Sequence, residues 1–254
     1  MDPEHDGDLN KTALPLDWGG LPLSDYSTTS RSVTVHFRDL DKALIGYITK
    51  TSTVVGCVAW LTHIGILNAL SRRDGVSLLV QKEDFLRPDS GGGPTKEKLR
   101  KAYAKLHGLP RAAFDAEYDE KLGYSYLAHP AMQAGPRERP DLDAMHVIDP
   151  VRCVGVRNGS QAIATPRMHH KFLVFCRWMR LNKEDPVAIL VPHAVWTGSF
   201  NFTNNGMRSL ENAVVIRNPD IANAYMCEYL QLAMIAEPLD WHSQWVAPEW
   251  RIGT

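Results

Sequence analysis

The chain has 254 residues, 44% of them hydrophobic and 22% charged, with a formal net charge of −1. That is an ordinary globular mix with ample burial, so neither a metal nor a disulfide is required to hold the fold. The near-zero charge excludes a protein that coats nucleic acid by bulk basicity, and any such binding must rest on a local patch.

The four cysteines, Cys57, Cys153, Cys176 and Cys227, form no CxxC pair and match no Cys/His zinc spacing. They read as reduced structural thiols, and no metal site or cofactor is expected. Met1 to Asn10 is acidic and polar, unlike a signal peptide, and every apolar run is shorter than the ~18 residues of a membrane helix. The expectation is a soluble cytoplasmic protein without stable membrane association.

Residues 1–30 read as an arm, with Gly19-Gly20 between two Leu-Pro-Leu runs. Ser32 to Phe37 alternates β-branched and polar residues and predicts a strand. Leu44, Ile45 and Ile48 have helical spacing within Leu40 to Thr49. Thr53 to Leu61 is a near-continuous apolar run, as in a strand buried on both faces. A helix over Ile64 to Arg73 and a buried strand over Gly75 to Gln81 follow. This alternation predicts an α/β fold: a mixed, mostly parallel sheet sandwiched between helices, in a single domain over 1–254.

Ser90 to Pro94 breaks the pattern, and a helix is predicted from Thr95 to about His107. Lys96, Arg100 and Lys101 lie on its polar side. Two readings stand: a solvated face, or a patch that tracks phosphates. Residues 108–150 read as an irregular insertion that gates substrate access. Strands are predicted over Val151 to Val156, Met168 to Trp178, Val187 to Thr197 and Glu211 to Arg217, with a polar hairpin tip between Arg177 and Pro186. A long amphipathic helix spans Ile221 to Ala236. Trp241, Trp245 and Trp250 read as aromatic anchors for the C-terminal segment.

The chemistry centres on His169-His170-Lys171, which opens the apolar run Phe172 to Phe175. In a strand, His169 and Lys171 share one face and His170 takes the other. An imidazole is thereby set beside an ammonium: a nucleophile or proton carrier next to a cation for phosphate oxygens. Thr197-Gly198-Ser199-Phe200-Asn201 follows, offering Ser199 and Asn201 as uncharged hydrogen-bonding groups. Glu211 comes next and could fix the tautomer of His169.

His169-x-Lys171, Gly198-Ser199-x-Asn201 and Glu211 together resemble the signature of the phospholipase D superfamily. The run Thr197 to Thr203 and the following Ser209 to Ile216 resemble the small endonucleases of that superfamily in particular. The resemblance covers roughly residues 32–85 and 150–235. It departs from the family where the usual Asp is Cys176, in the long interval from Lys171 to Gly198, and in the 108–150 insertion.

The resemblance implies metal-free phosphodiester cleavage through a phosphohistidine. His169 would be the nucleophile, Lys171 and Asn201 would cradle the phosphoryl oxygens, Ser199 would support that cradle and Glu211 would orient His169. A second histidine must act as general acid. His36 and His63 are not followed two places on by Lys, so the resemblance implies a homodimer that shares one site. A nuclease acting on DNA or RNA is the leading reading. A lipid phosphodiesterase and a catalytically inactive nucleic-acid-binding member are the alternatives.

Overall fold

A computed structural model describes residues 25–83, 93–114, 147–155, 167–180 and 188–239. The sequence readings of residues 1–24, of most of the 108–150 insertion, of the hairpin tip after Arg180 and of the three C-terminal tryptophans therefore lie outside the described residues.

Ten strands form the framework: β1 Thr28–Ser30, β2 Val33–His36, β3 Thr53–Val58, β4 Gly75–Gln81, β5 Leu109–Pro110, β6 Val147–Ile148, β7 Val151–Val154, β8 Lys171–Arg180, β9 Ala188–Gly198 and β10 Ala213–Ile216. Eight of them make one sheet, in the order β1-β2-β10-β9-β8-β3-β4-β7. β5 and β6 pair antiparallel by themselves and close the base of the 108–150 segment.

The mixed α/β architecture is as expected, but the sheet is not mostly parallel. Only β3–β4 and β4–β7 pair parallel, and the other five neighbouring pairs are antiparallel. The reason lies in the connections. β9 returns beside β8 and β10 beside β9, with only the one-turn helix Asn204–Arg208 described between β9 and β10, and β1 and β2 form a tight hairpin through Arg31 at φ 49°. That hairpin also places regular structure inside the expected arm.

Helices cover both faces. On one side lie α1 Leu40–Ile48, α2 Ile64–Leu70 and α3 Pro94–Tyr103. Leu44, Ile48, Ile66, Leu67, Leu99 and Tyr103 pack there against Val54, Val58, Leu173, Phe175 and Trp196. On the other side, Ala222, Met226, Tyr229 and Leu230 of a sixteen-residue helix, Pro219–Met234, pack with Phe114 against Val55, Cys57, Phe172, Val174 and Val195. This helix is α5, because the short α4 Asn204–Arg208 precedes it. The β8 residues divide between the two lists by parity, as the two-residue period of a strand requires.

The helix ends follow from local chemistry. The His63 side chain accepts from the Ile66 N–H at 3.2 Å and caps α2. Asn218 caps α5 through the Ile221 N–H, with Pro219 at the first helical position. At the other end of α5, the Arg152 guanidinium donates to the carbonyls of Ala233 and Ala236 at 3.1 and 2.5 Å. Just beyond, Glu237 exchanges backbone hydrogen bonds with Cys153 of β7, and its carboxylate pairs with the fully buried Lys82.

Candidate active site

One end of the sheet collects the ends of four strands. Lys171, the first residue of β8, lies opposite Val58, the last of β3. Gly198, the last of β9, lies opposite Ala213, the first of β10. Gly198 has φ +156°, and a Cβ there would strike the backbone of Asn212 and Ala213. Its lack of a side chain lets β10 approach, which brings Glu211 beside the Ser199–Asn201 turn.

β8 begins at Lys171, so His169 and His170 lie in the segment that leads into it and not inside the ladder. This lead-in is held from both sides. The Met168 N–H donates to the Gln81 side-chain carbonyl at 2.7 Å, and the Ala59 N–H donates to the His170 carbonyl at 2.8 Å. The two histidines still diverge. His169 meets the Trp60 ring edge-to-face, with centroids 5.4 Å apart at 79°. His170 turns to α5, 3.2 Å from a Glu228 oxygen, and stacks edge-on against Phe172.

Lys171 is buried, with 7% of its surface exposed, and its ammonium donates to the His169 carbonyl at 2.8 Å. The same ammonium stands 5.8 Å from the centre of the Trp60 ring, and the Arg167 guanidinium stands 5.9 Å from it. Burial lowers the pKa of Lys171, and the Glu211 carboxylate acts in the opposite direction. His169 is likewise lowered, first by burial and then by the charges of Lys171, Arg167 and His170. Its imidazole is thus held toward the neutral form, the form in which a ring nitrogen can attack.

Four of the expected residues, His169, Lys171, Asn201 and Glu211, lie around Trp60. A cavity of about 470 Å³ is lined by Trp60, Thr62, Asn201, Thr203, Asn204 and Glu211, among others. Asn201 has its side-chain oxygen buried without a hydrogen-bond partner. The Ser199 hydroxyl accepts from the Asn212 N–H at 3.1 Å, so it fastens the loop that carries Glu211. Glu211 acts on Lys171, whereas the charges acting on His169 are all cationic. A second cavity of about 490 Å³ opens beside His169 and His170, with Arg167, Val154, Met168, Leu232 and Ile235 in its walls.

His36 and His63 are engaged elsewhere in the fold. His36 stacks on Trp196, and His63 caps α2. Lys96, Arg100 and Lys101 lie on α3, where Lys101 pairs with Glu97 at 2.6 Å. None of the three lines either cavity described above. Cys176, at the position of the family's Asp, is fully buried on the α5 side, and burial pushes its thiol up. None of the four cysteines is joined in a disulfide. Among the described residues, no group of three or more His, Cys, Asp and Glu is placed to hold a metal ion, and no helix is long and apolar enough to cross a membrane.

Sequence reasoning missed Trp60, Arg167 and Gln81. Gln81 carried a signal, since an amide closing an otherwise apolar buried strand needs a partner.

No protein-family model matches the chain. An uncharacterized protein of Acanthamoeba polyphaga mimivirus is 28% identical over 234 residues, 88% of this chain and 73% of that one. Among solved structures, the phospholipase D family member Nuc from Salmonella typhimurium is 16% identical, with a TM-score of 0.41 over 81% of this chain and 96% of its own. NucT from Helicobacter pylori is 10% identical, with a TM-score of 0.44 over 81% of this chain and 98% of its own.

Proposed function

We propose that the chain is a metal-independent phosphodiesterase of the phospholipase D type that cleaves DNA or RNA in a site shared across a homodimer. The observation that carries this reading is the gathering of His169, Lys171, Asn201 and Glu211, from two separate stretches of sequence, around Trp60 at one end of the sheet. Order and spacing of motif and convergence of side chains agree.

The chemistry runs in two displacements. A neutral His169 ring nitrogen attacks phosphorus, a P–N bond forms, and the P–O bond to the leaving group breaks. The departing oxygen takes its proton from His169 of a second copy. That second imidazole then removes a proton from water, whose oxygen attacks phosphorus and breaks the P–N bond. The Lys171 ammonium and the Asn201 side-chain NH2 would donate to the phosphoryl oxygens on which charge builds. Splitting the displacement lowers each barrier, and acid assistance contributes roughly 10²–10⁴-fold.

The apolar wall of the second cavity, formed by Met168, Leu232 and Ile235 beside His169, favours a second reading, a lipid phosphodiester substrate. One experiment separates the two. The protein is incubated with single-stranded DNA, duplex DNA, RNA and phosphatidylcholine vesicles, and a covalent, acid-labile adduct is sought after alkaline quench. Nucleic-acid cleavage with an adduct that vanishes in His169→Ala is the expected result. Vesicle hydrolysis alone would select the lipid reading, and His169→Ala turning over like wild type would overturn both.

A further inference from the structure

We propose that Trp60 is the positioning residue of this site: its indole, anchored by Glu83, holds the His169 imidazole edge-on beside Lys171. The inference rests on the reading of His169 as the nucleophile.

The backbone of Trp60 is fixed by three parts of the fold. It follows β3 by two residues, its carbonyl accepts from the Phe202 N–H at 3.1 Å, and its neighbour Leu61 accepts from the Tyr103 hydroxyl of α3 at 2.6 Å. The ring is fixed separately. Its N–H donates to a Glu83 carboxylate oxygen at 3.2 Å, just beyond β4, which sets the rotation of the indole about its own stem. An aromatic ring kept only for core packing needs none of this. Trp196, Phe200 and Phe202 are fully buried, whereas Trp60 is half-buried and borders the open cavity.

What the indole holds is the reacting group. Among the described residues no hydrogen bond engages either ring nitrogen of His169, so the contact with Trp60 at 5.4 Å is what fixes the imidazole plane while leaving both nitrogens available. The indole also keeps Lys171 and Arg167 close by, at 5.8 and 5.9 Å from its centre. It shields one side of His169 from water while these cations face it, and His170 adds a third. Removing the ring would admit water, ease protonation and free the imidazole to rotate.

The test uses the full chain with Trp60→Phe, Trp60→Leu and Glu83→Ala. Two quantities are read: kcat and KM on bis(4-nitrophenyl) phosphate, and the titration of the His169 ring by NMR. Trp60→Leu is expected to lower kcat on the order of 10²-fold with KM little changed, as loss of orientation does. Its His169 titration midpoint should rise toward the ordinary 6.5. Trp60→Phe, which keeps an aromatic face, should recover most of the rate, and Glu83→Ala should fall between the two. A folded Trp60→Leu protein with wild-type kcat and an unmoved His169 titration would overturn the proposal. Should that variant fail to fold, Glu83→Ala with both quantities unchanged would overturn it equally. Failure of the nucleophile reading looks different: His169→Ala would stay active while the NMR titration still responded to Trp60.

Discussion

Gly198→Ala and Gly46→Ala are the same chemical change with opposite expected signs. At Gly198 the backbone sits at φ +156°, and an added Cβ would meet the Asn212 carbonyl and the Ala213 Cα. Both obstacles are backbone, so no side chain can swing aside. Holding alanine in that conformation costs about 1–3 kcal/mol. Displacing β10 from β9 adds about 1–3 kcal/mol of packing loss. The expected destabilisation is therefore about 2–6 kcal/mol. Gly46 lies inside α1 with nothing within 4 Å of its would-be Cβ. Alanine there should stabilise by about 0.5–1 kcal/mol through helix propensity. Urea denaturation followed by circular dichroism measures both. With a slope of about 2–3 kcal/mol per M, the Gly198→Ala midpoint should drop by roughly 0.7–3 M while the Gly46→Ala midpoint rises slightly. Equal midpoints for Gly198→Ala and wild type would refute the close approach of β10 that places Glu211.

His169→Ala should abolish turnover while His170→Ala retains most of it, because His170 faces Glu228 of α5; equal losses in two folded variants would undo the assignment. Mixing wild type with His169→Ala at equal amounts under subunit exchange should leave about a quarter of the activity if each site needs two histidines, against about half for independent sites. Phosphodiester cleavage should persist in EDTA, since charge on the phosphate is met by Lys171, and strict dependence on added Mg²⁺ would argue against the mechanism. Burial lowers the pKa of His36, His169 and His193 below 6.5. The unfolded chain then binds more protons than the folded one, so thermal stability should be level above about pH 6.5 and fall as pH drops through the native values; a midpoint rising on acidification would contradict the burial.

Much of the framework was legible because burial leaves a direct mark on sequence. β3 and β4 lie beneath helices on both faces, and their runs are accordingly apolar without alternation. The His-x-Lys and Gly-Ser-x-Asn pairs were legible because their residue types are unusual at that spacing. Apart from the hairpin expected between β8 and β9, strand direction was not legible, since a two-residue period is the same read either way; this is why the other antiparallel pairings went unexpected. The predicted strand through Leu61 stops at Val58: the Ala59 N–H still meets the His170 carbonyl in the β3–β8 register, but the Trp60 carbonyl turns to the Phe202 N–H, in a segment more than a hundred residues away. Trp60 was hidden for the same reason. In sequence it looks like the tail of an apolar run, and only the fold sets His169 against it. The position of Glu211 was legible in the motif, but its pull on Lys171 could come only from geometry.

The backbone exchange between Cys153 and Glu237 has a bearing on how copies of this chain can meet. β7 is the last strand at its side of the sheet, and a bare last strand is a template for another chain. Here the residues just after α5 double back and occupy that template, clamped by Arg152 and by the Lys82 pair. The opposite border is β1, three exposed residues, too short to recruit a long partner strand. Among the described residues the sheet is thus blunted at both margins. The described strands leave the strand ends, where His169 stands, and not the sheet borders, as the place where two copies sharing a catalytic centre would meet.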